Sequence, residues 1–490
     1  MAKEHSFSGL SQIIAMGLEY PEGGPKHSAI KSVLDNLFEG RYHSKSRPKD
    51  AFRDAYGLKE DGVPYAGVIA PENPSSGAYG GASLAWFPCD DGSLMTLVVG
   101  TKGLAPDEGL LTRHGHRRRV SALRYYLSRR GVQSWSKGDP AAISTKMPEA
   151  ARRQFPSCSA VFSRYGEVIY SAAWIPKGDK ATAGDVVRAY FDLYARERGW
   201  NVRASALQET EELYAELHDH LFPEVKPANV DALLRERRFV VLQGPPGTGK
   251  TRMAEQVRRD FFGSRGQTVQ FHPAVTYEDF VVGLSPDPSD VGLRFRAKRG
   301  WLLQAALEAH DSPYLLIVDE INRADLGKVL GEAIYLFEPG EVGTSQGRQV
   351  HLTHPIDGLS TFRMPSNLFV LGTMNTADRS IAGLDLAVRR RFAFVTLMPD
   401  PRVIELPAAR DVFEHLVDVF VEHASDDMLH LIPGHSYFLA SDDRQLRNRF
   451  QYELLPLIDE YLRQGLLGPA GSDLHAIREQ IADFAMARDP

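Results

Sequence analysis

The sequence contains little cysteine, no long apolar run and no internal repeat. Of its 490 residues only Cys89 and Cys158 are cysteines. Two cysteines form neither a disulfide framework nor a four-cysteine zinc site, so we expect a reducing, cytoplasmic location. No apolar run reaches the roughly 18 residues of a transmembrane helix. The first residues lack the charged-then-apolar pattern of a signal peptide, so we expect neither a leader nor a membrane segment.

Charge is unevenly distributed along the chain. Residues 1–200 carry 27 Lys and Arg against 21 Asp and Glu, whereas residues 201–490 carry 30 against 42. A basic first part joined to an acidic remainder is a reason to look for nucleic-acid binding at the N-terminal end. An excess of six positive charges is also ordinary for a globular region of this size, so charge alone leaves both interpretations open.

Residues 1–200 have the patterns of a mixed α/β region. The stretch 83–99 alternates and turns near Gly92, which predicts a β-hairpin. A second hairpin is predicted from strands at 159–164 and 167–174, and residues 183–198 have a helical pattern. We therefore expect a separate mixed α/β domain here.

The pattern changes beyond this region. Residues 206–221 predict a connecting helix, and prolines then break the chain. From Arg238 short apolar strands alternate with helices, as in a parallel sheet with crossover helices, and after residue 401 the pattern is helical. The predicted division is an N-terminal domain over 1–200, a connecting helix and linker over 201–235, an α/β core over 236–400 and a helical lid over 401–490.

A glycine-rich loop joins the first core strand, residues 238–242, to a helical pattern that starts at Arg252. It fits G-x-x-x-x-G-K-[ST] between a strand and a helix. Glycines let backbone N–H groups approach phosphate oxygens, and the helix N-terminus adds positive potential. We expect Lys250 to reach the β- and γ-phosphates and Thr251 to ligate Mg²⁺. The predicted nucleotide-binding residues are Gly244, Pro245, Pro246, Gly247, Thr248, Gly249, Lys250 and Thr251.

A second apolar strand, residues 314–318, ends in two adjacent carboxylates, Asp319 and Glu320. Asp319 is expected to hold Mg²⁺, directly or through water, and Glu320 to polarise the attacking water as a general base. A strand end that merely meets solvent has the same local pattern. The position downstream of the glycine-rich loop favours the catalytic interpretation.

A third apolar strand, residues 368–371, leads to Asn375, whose amide is placed to hold the hydrolytic water or the γ-phosphate. Further on, Arg389, Arg390 and Arg391 follow a helical pattern and precede a strand. Such arginines suit an arginine finger that contacts phosphate in cis or on a neighbouring subunit. Capping of a helix C-terminus by cations is the other interpretation, although three arginines exceed what capping needs.

Several segments resemble the McrB-type AAA+ ATPases, the motor subunits of modification-dependent DNA restriction systems. The most specific is Gly372-Thr-Met-Asn-Thr-Ala-Asp-Arg-Ser380, which largely separates this clade from other AAA+ proteins. The resemblance extends over residues 238–466. The other segments are Thr276-Tyr-Glu-Asp-Phe-Val281, Asp319-Glu-Ile-Asn-Arg-Ala-Asp325, Arg389-Arg-Arg-Phe392, Gly434-His-Ser-Tyr-Phe438 and Gln451-Tyr-Glu-Leu-Leu-Pro-Leu-Ile-Asp-Glu-Tyr461.

The resemblance implies a P-loop AAA+ core with a helical lid, assembled into ring hexamers that hydrolyse nucleotide at subunit interfaces. It also implies a McrC-like partner that carries the nuclease. Asn375, Asp378 and Arg379 match the signature residues, Arg323 matches an interface arginine, and residues 389–391 match the position of the finger. The best-known members use GTP, but no guanine-reading N-K-x-D pattern stands out here. We expect ATP and leave GTP open.

The densest basic stretch lies within residues 111–130 and includes Tyr125 and Tyr126. The mixture suits phosphate contacts and base stacking. An amphipathic helix with Leu123, Tyr126 and Leu127 buried accounts for it equally well. In McrB-like proteins the N-terminal domain usually reads the target, in some by flipping a base. The basic residues are Arg113, His114, His116, Arg117, Arg118, Arg119, Arg124, Arg129 and Arg130, and the candidate stacking tryptophans, each more often a core residue, are Trp86, Trp135 and Trp174.

The predicted function is an NTP-hydrolysing motor of a McrBC-like restriction or phage-defence complex, with residues 1–200 reading the DNA target. The alternative is a MoxR-like remodelling ATPase that acts on a protein client. The nuclease-like run Glu224-Val-Lys226 lies in a linker with no acidic strand before it. We therefore expect a separate subunit to cut the DNA. A pure nucleotide-dependent scaffold would have no need of Glu320.

Overall fold

The chain folds into two units, each containing its own main β-sheet. The structure is a computed structural model, which describes residues 40–43, 52–55, 63–70, 72–74, 77–286, 294–344, 347–377 and 386–487. The chain forms two units, residues 1–222 with 421–423, and residues 223–420 with 424–490. Among the described residues, no helix is long and apolar enough to cross a membrane, and no three His, Cys, Asp or Glu side chains form a metal-ligating group.

The sheet of the first unit has six strands in the order β1-β2-β3-β4-β6-β5. Apolar side chains on its two faces pack against helices and form two cores. The strands are β1 Phe52–Ala55, β2 Tyr65–Val68, β3 Ala82–Cys89, β4 Gly92–Val99, β5 Ser134–Ser136 and β6 Ile169–Pro176, and the helices are α1 Glu108–Leu111, α2 His114–Arg129, α3 Glu149–Arg152, α4 Ser159–Tyr165, α5 Lys180–Glu197 and α6 Ala204–Leu221.

One of the two predicted hairpins forms and the other does not. Strands β3 and β4 pair antiparallel, as predicted. The prediction of a strand at 159–164 is wrong, because these residues form helix α4, and β6 pairs with β4 and β5 instead. Val161, Phe162 and Tyr165 have the spacing of one helical face, and all three pack against the same core. The helices predicted at 183–198 and 206–221 are confirmed as α5 and α6.

The second unit contains the predicted parallel sheet. Its five strands lie in the order β15-β7-β14-β11-β8, and every neighbouring pair is parallel. Strands β7, β11 and β14 are buried on both faces, which explains their continuous apolar runs. The strands are β7 Phe239–Gly244, β8 Gly266–Gln270, β9 Val282–Pro286, β10 Phe295–Arg299, β11 Tyr314–Asp319, β12 Gln349–Ile356, β13 Leu359–Arg363, β14 Leu368–Asn375 and β15 Ala393–Thr396.

Helices flank the sheet and dominate the C-terminal part, where the helical prediction is confirmed. Two antiparallel hairpins, β9–β10 and β12–β13, were not predicted. The helix expected up to the three arginines is short and ends at Arg389. The helices are α7 Pro227–Arg237, α8 Lys250–Phe262, α9 Tyr277–Phe280, α10 Trp301–Glu308, α11 Leu326–Leu330, α12 Leu386–Arg389, α13 Pro407–His423, α14 Asp443–Arg449, α15 Leu455–Arg463 and α16 Gly471–Met486.

Candidate functional site

The C-terminal ends of three parallel strands bring the predicted site residues together. Gly244 at the end of β7 pairs with Asn375 at the end of β14. Strand β11 lies on the other side of β14, and its Val318 pairs with Gly372. Ligands of open parallel sheets bind at this edge, where loops follow the strands. The loop, the carboxylates and the asparagine thus meet at one place, although they are far apart in the sequence.

The glycine-rich loop has a conformation that only glycine accepts at key positions. Gly244 and Gly247 have φ angles of 153° and 78°. A Cβ atom at Gly244 would lie 2.1 Å from the Leu397 carbonyl oxygen, and one at Gly247 would lie 2.3 Å from the Ser436 hydroxyl. Helix α8 starts at Lys250, so its first N–H groups face the loop. The arrangement forms the cradle that a phosphate group requires.

Lys250 is a buried cation inside this loop, with 6% of its surface exposed. Its Nζ donates hydrogen bonds to the Gly244 carbonyl at 3.1 Å and to the Pro245 carbonyl at 2.7 Å. Burial lowers the pKa of Lys250 to about 8, although the nearby Glu320 and Asp319 carboxylates oppose this shift. A cation with so little solvation suits a strongly anionic ligand.

Asp319 is linked to two hydroxyl groups. The Thr251 hydroxyl donates to Asp319 Oδ1 at 2.8 Å, and the Thr373 hydroxyl donates to the same oxygen at 2.6 Å. Thr251 is the second residue of helix α8, and Thr373 lies on the neighbouring strand β14. Sequence reasoning assigned no role to Thr373. The pairing of Val318 with Gly372 places it beside Asp319, a relation that appears only once the two strands are known to be neighbours.

Glu320 has a strained backbone and a polar environment. Its φ is 54°, which is uncommon for a residue with a side chain and typical of functional sites. The Asn375 amide donates to Oε1, while Arg323 Nε lies 3.4 Å from Oε2. Burial raises the pKa of Glu320; Asp319 adds to this shift, whereas Arg323 and Lys250 oppose it. A carboxylate with a raised pKa accepts a proton more readily.

Two further hydrogen bonds connect Glu320 and the turn after it to strand β14. The Glu320 N–H donates to the Thr373 hydroxyl at 3.1 Å. The Asn322 amide donates to the Asn375 carbonyl at 3.3 Å and is 7% exposed. Asn322 lies in the segment Asp319–Asp325 that carries the resemblance, but no role was predicted for it. Together these bonds fix the carboxylate against the neighbouring strand.

The arginines expected at the site differ in accessibility. The Arg323 side chain is 45% exposed beside Glu320. Arg391 is buried, with Nη2 3.1 Å from Glu338 Oε1, whereas the Arg390 side chain is 67% exposed. Arg389 is exposed, and its guanidinium lies 5.3 Å from the centre of the Phe394 ring. The signature residues Asp378 and Arg379 lie outside the described residues.

A segment of the C-terminal part contacts the loop directly. The N–H groups of Gly434 and Ser436 donate to the carbonyls of Pro246 and Gly247 at 3.0 and 3.1 Å. A Cβ at Gly434 would lie 2.2 Å from the Gly247 carbonyl carbon, so only glycine fits. The resemblance named this segment without a role. Its backbone fixes the outer side of the loop.

The basic stretch of the first unit forms helix α2, with Leu123, Tyr126 and Leu127 buried as the amphipathic interpretation requires. Several of its cations have partners within the unit. Arg119 Nε donates to Glu197 Oε1 at 2.7 Å, and His116 Nδ1 lies 3.1 Å from the same oxygen.

Toward the other end of α2, Arg130 contacts Glu216 and lies over the Tyr126 ring. Tyr125, Arg124 and Arg129 are exposed. Of the candidate tryptophans, Trp86 is a fully buried core residue, while Trp135 and Trp174 are half-buried. The side chains that remain for contact with nucleic acid are fewer than the sequence indicated.

A phosphate-binding loop at the end of one parallel strand, with an acidic pair ending a second strand and a polar residue ending the strand between them, defines a P-loop nucleoside-triphosphatase of the AAA class. Residues 239–392 match the family described as AAA domain (dynein-related subfamily). This match spans the loop, both carboxylates and Asn375.

Two relatives narrow the class. The chain is 30% identical over 359 residues to the type IV methyl-directed restriction enzyme EcoKMcrB subunit of Escherichia coli (strain K12), covering 65% of this chain and 76% of that protein. It is 28% identical over 189 residues to the type II restriction enzyme BsuMI component YdiS of Bacillus subtilis (strain 168), covering 31% and 55%. The chain belongs to the McrB family of AAA ATPases.

Proposed function

We propose that the chain is the NTP-hydrolysing motor of a modification-dependent DNA restriction or phage-defence complex. The main support for hydrolytic activity is a continuous series of hydrogen bonds. It runs from Thr251 through Asp319 and Thr373 to Glu320 and Asn375. A protein that only bound nucleotide would need no oriented carboxylate at this point. The restriction part is supported by the two relatives, both of which are restriction-enzyme components.

The residues of the loop fit a Mg²⁺–nucleotide. The Thr251 hydroxyl and the Asp319 carboxylate converge to 2.8 Å, and both are the hard oxygen donors that Mg²⁺ prefers. When bound, the ion would offset the negative charge of the phosphates. The loop N–H groups and Lys250 would hold the β- and γ-phosphates. We infer ATP as the nucleotide, with GTP as the other candidate.

Glu320 would accept the proton of the attacking water, because it directly follows Asp319 at the end of β11 and is close enough to Lys250 of the loop for their charges to interact. Its burial also raises its pKa. Asn375 holds one carboxylate oxygen, and Arg323 lies beside the other. The amide therefore fixes the direction in which the base points. Asp378 and Arg379 join this site on the strength of the family signature.

Arg390 is the candidate arginine finger that we favour among the three arginines. Arg391 is 3% exposed and engaged with Glu338, so its guanidinium is not presented to another subunit. The side chain of Arg390 is 67% exposed. Arg389 is exposed as well, but its guanidinium lies over the Phe394 ring. A finger that acts on the nucleotide of a neighbour requires an oligomer, and we propose the hexameric ring of the family. A McrC-like subunit would supply the nuclease.

The experiment measures DNA binding and NTP hydrolysis by the full chain. We expect binding to methylated DNA, in keeping with the methyl-directed relative. Binding should weaken steeply with salt, since phosphate contacts release counterions. The Lys250→Ala protein should keep DNA binding and lose hydrolysis of both ATP and GTP. Absence of binding to modified and unmodified DNA alike would contradict the proposal. Stimulation of hydrolysis by a protein client, with indifference to DNA, would favour the MoxR-like alternative.

A further inference from the structure

The carboxylate of Glu338 lies among three arginines from two parts of the second unit. Its Oε1 is 3.1 Å from Arg391 Nη2 and 3.8 Å from both Arg390 Nη2 and Arg348 Nη1. Arg391 Nη1 also donates to the Ala387 carbonyl at 2.6 Å. Arg391 is therefore held at two points, by a carboxylate from a distant segment and by a backbone carbonyl of the preceding helix α12. A charged hydrogen bond of this kind, largely shielded from water, is strong and directional.

Aromatic packing fixes the same two segments beside this ion pair. Phe337 precedes Glu338, and Phe392 follows Arg391. Their rings stack with centroids 5.6 Å apart and planes inclined by 28°. Both rings contact Phe239, the first residue of β7, at 4.7 and 6.0 Å. The strand that carries the phosphate-binding loop, the segment around Glu338 and the arginine segment are thus packed together.

We propose that Glu338 is a positioning residue for Arg390. By holding Arg391 in the interior, Glu338 fixes the backbone turn after α12 and so sets the direction in which the exposed Arg390 side chain leaves the surface. In this scheme Glu338 contacts neither the nucleotide nor the attacking water, and it acts through the neighbouring arginines. The inference rests on the proposed role of Arg390 as arginine finger.

Glu338→Gln tests the anchor, because glutamine keeps the shape of the side chain and removes its charge. We expect kcat of the full-length oligomer to fall about tenfold or more, since a correctly placed finger contributes far more than this. KM for the nucleotide should stay within about twofold, because the loop that binds the phosphates is unchanged. Glu341→Gln is the matched control: in the described part of the chain, Glu341 pairs with Arg348 at 2.8 Å and with neither Arg390 nor Arg391. Equal kcat in the two variants would overturn the proposal.

A double-mutant cycle separates the anchor from the finger. If Glu338 acts through Arg390, then Glu338→Gln adds no further loss of kcat in an Arg390→Ala background. Losses that multiply would overturn the positioning role. Parental kcat in Arg390→Ala alone would instead show that the finger assignment under the proposed function is wrong.

A second substitution probes the same contact in case Glu338→Gln does not fold. Arg391→Lys keeps the positive charge but cannot span both Glu338 and the Ala387 carbonyl with one planar group. We expect a folded protein with lowered kcat and unchanged KM. Parental kcat in the folded Arg391→Lys protein would overturn the proposal independently of Glu338→Gln.

Discussion

The two units differ in how they use buried charge. In the first unit, Arg41 and Asp192 are both fully buried, and their side chains contact each other through two pairs of atoms. In the second unit, Lys250 is buried among backbone carbonyls. Among the described residues, the buried Glu320 Oε2 has no hydrogen bond and only a long ion-pair contact, 3.4 Å, with Arg323 Nε. A closed network stabilises a fold, whereas an incomplete one retains the capacity to bind and react.

The closed network extends beyond one ion pair. The Tyr42 hydroxyl donates to Asp192 Oδ1 at 2.6 Å, and Arg41 also contacts Thr210 and Glu209. Burial, followed by the Asp192 charge, raises the pKa of Tyr42 well above its ordinary value, so the phenol stays protonated and remains a donor. These partners all lie within the first unit. The network therefore ties its first described residues to helices α5 and α6.

Of the substitutions that test this comparison between the units, Glu320→Gln is expected to have the largest effect, on kcat. The substitution removes the proton acceptor and keeps the size of the side chain, so kcat should fall by about 10²- to 10⁴-fold. Nucleotide affinity should remain close to parental, because Lys250 and the loop are untouched. The measurement is steady-state hydrolysis together with equilibrium binding of a labelled nucleotide. Parental turnover in this variant would mean that Glu320 is not the base.

The next largest effect is expected in the first unit, from Asp192→Asn. Removing one partner of a buried ion pair leaves Arg41 poorly compensated, and we expect the unfolding free energy of this unit to fall by about 3 kcal/mol. Calorimetric unfolding of the full chain measures it, with hydrolysis as a second readout that should stay near parental in the folded protein. Asp185→Asn on the same helix is the control, since Asp185 forms an exposed pair with Arg188. Equal unfolding free energies of the Asp192→Asn and Asp185→Asn proteins would contradict a stabilising role of the buried Arg41–Asp192 pair.

The same comparison explains what could be predicted from the sequence. The loop, Asp319, Glu320 and Asn375 were found because each follows an apolar strand, a pattern contained within a few residues. Thr373 and Glu338 were missed because their partners come from other elements, Asp319 across the sheet and Arg391 across the aromatic cluster. Their roles depend on tertiary neighbours that no local pattern encodes.

The first unit shows the same limit more strongly. Arg41 and Asp192 are separated by 151 positions, and neither lies in a motif. Residues 159–164 were mistaken for a strand because a short apolar run fits either period, and packing decided for helix α4. The site of the second unit is therefore largely predictable from the sequence, whereas the first unit is predictable only as a fold class.

A smaller effect, again confined to the first unit, is expected from its two cysteines. They are distant in sequence, yet Cys89 Sγ and Cys158 Sγ lie 2.9 Å apart. Hydrogen peroxide should oxidise both thiols to one disulfide while it is reduced to two molecules of water. The crosslink should raise the unfolding free energy of this unit by about 2 kcal/mol.

Thiol titration and calorimetric unfolding, each performed before and after peroxide treatment, test this prediction. The hydrolysis rate should stay unchanged, since the site lies in the other unit. The Cys89→Ser protein is the control and should keep its remaining thiol unpaired and its stability unaltered by peroxide. Two thiols that stay titratable after oxidation would contradict the geometry.

The smallest effect is expected from Thr373→Val. This substitution tests whether the incomplete network of the second unit depends on Thr373, to which the sequence analysis gave no role. Valine keeps the shape and removes the hydroxyl that donates to Asp319 and accepts from the Glu320 N–H. Since a hydrogen bond to a charged group contributes about 1.5 kcal/mol, we expect kcat to fall roughly tenfold. Thr373→Ser restores the hydroxyl and should recover most of the loss. If valine and serine give the same kcat, the Thr373 hydroxyl does not orient the two carboxylates.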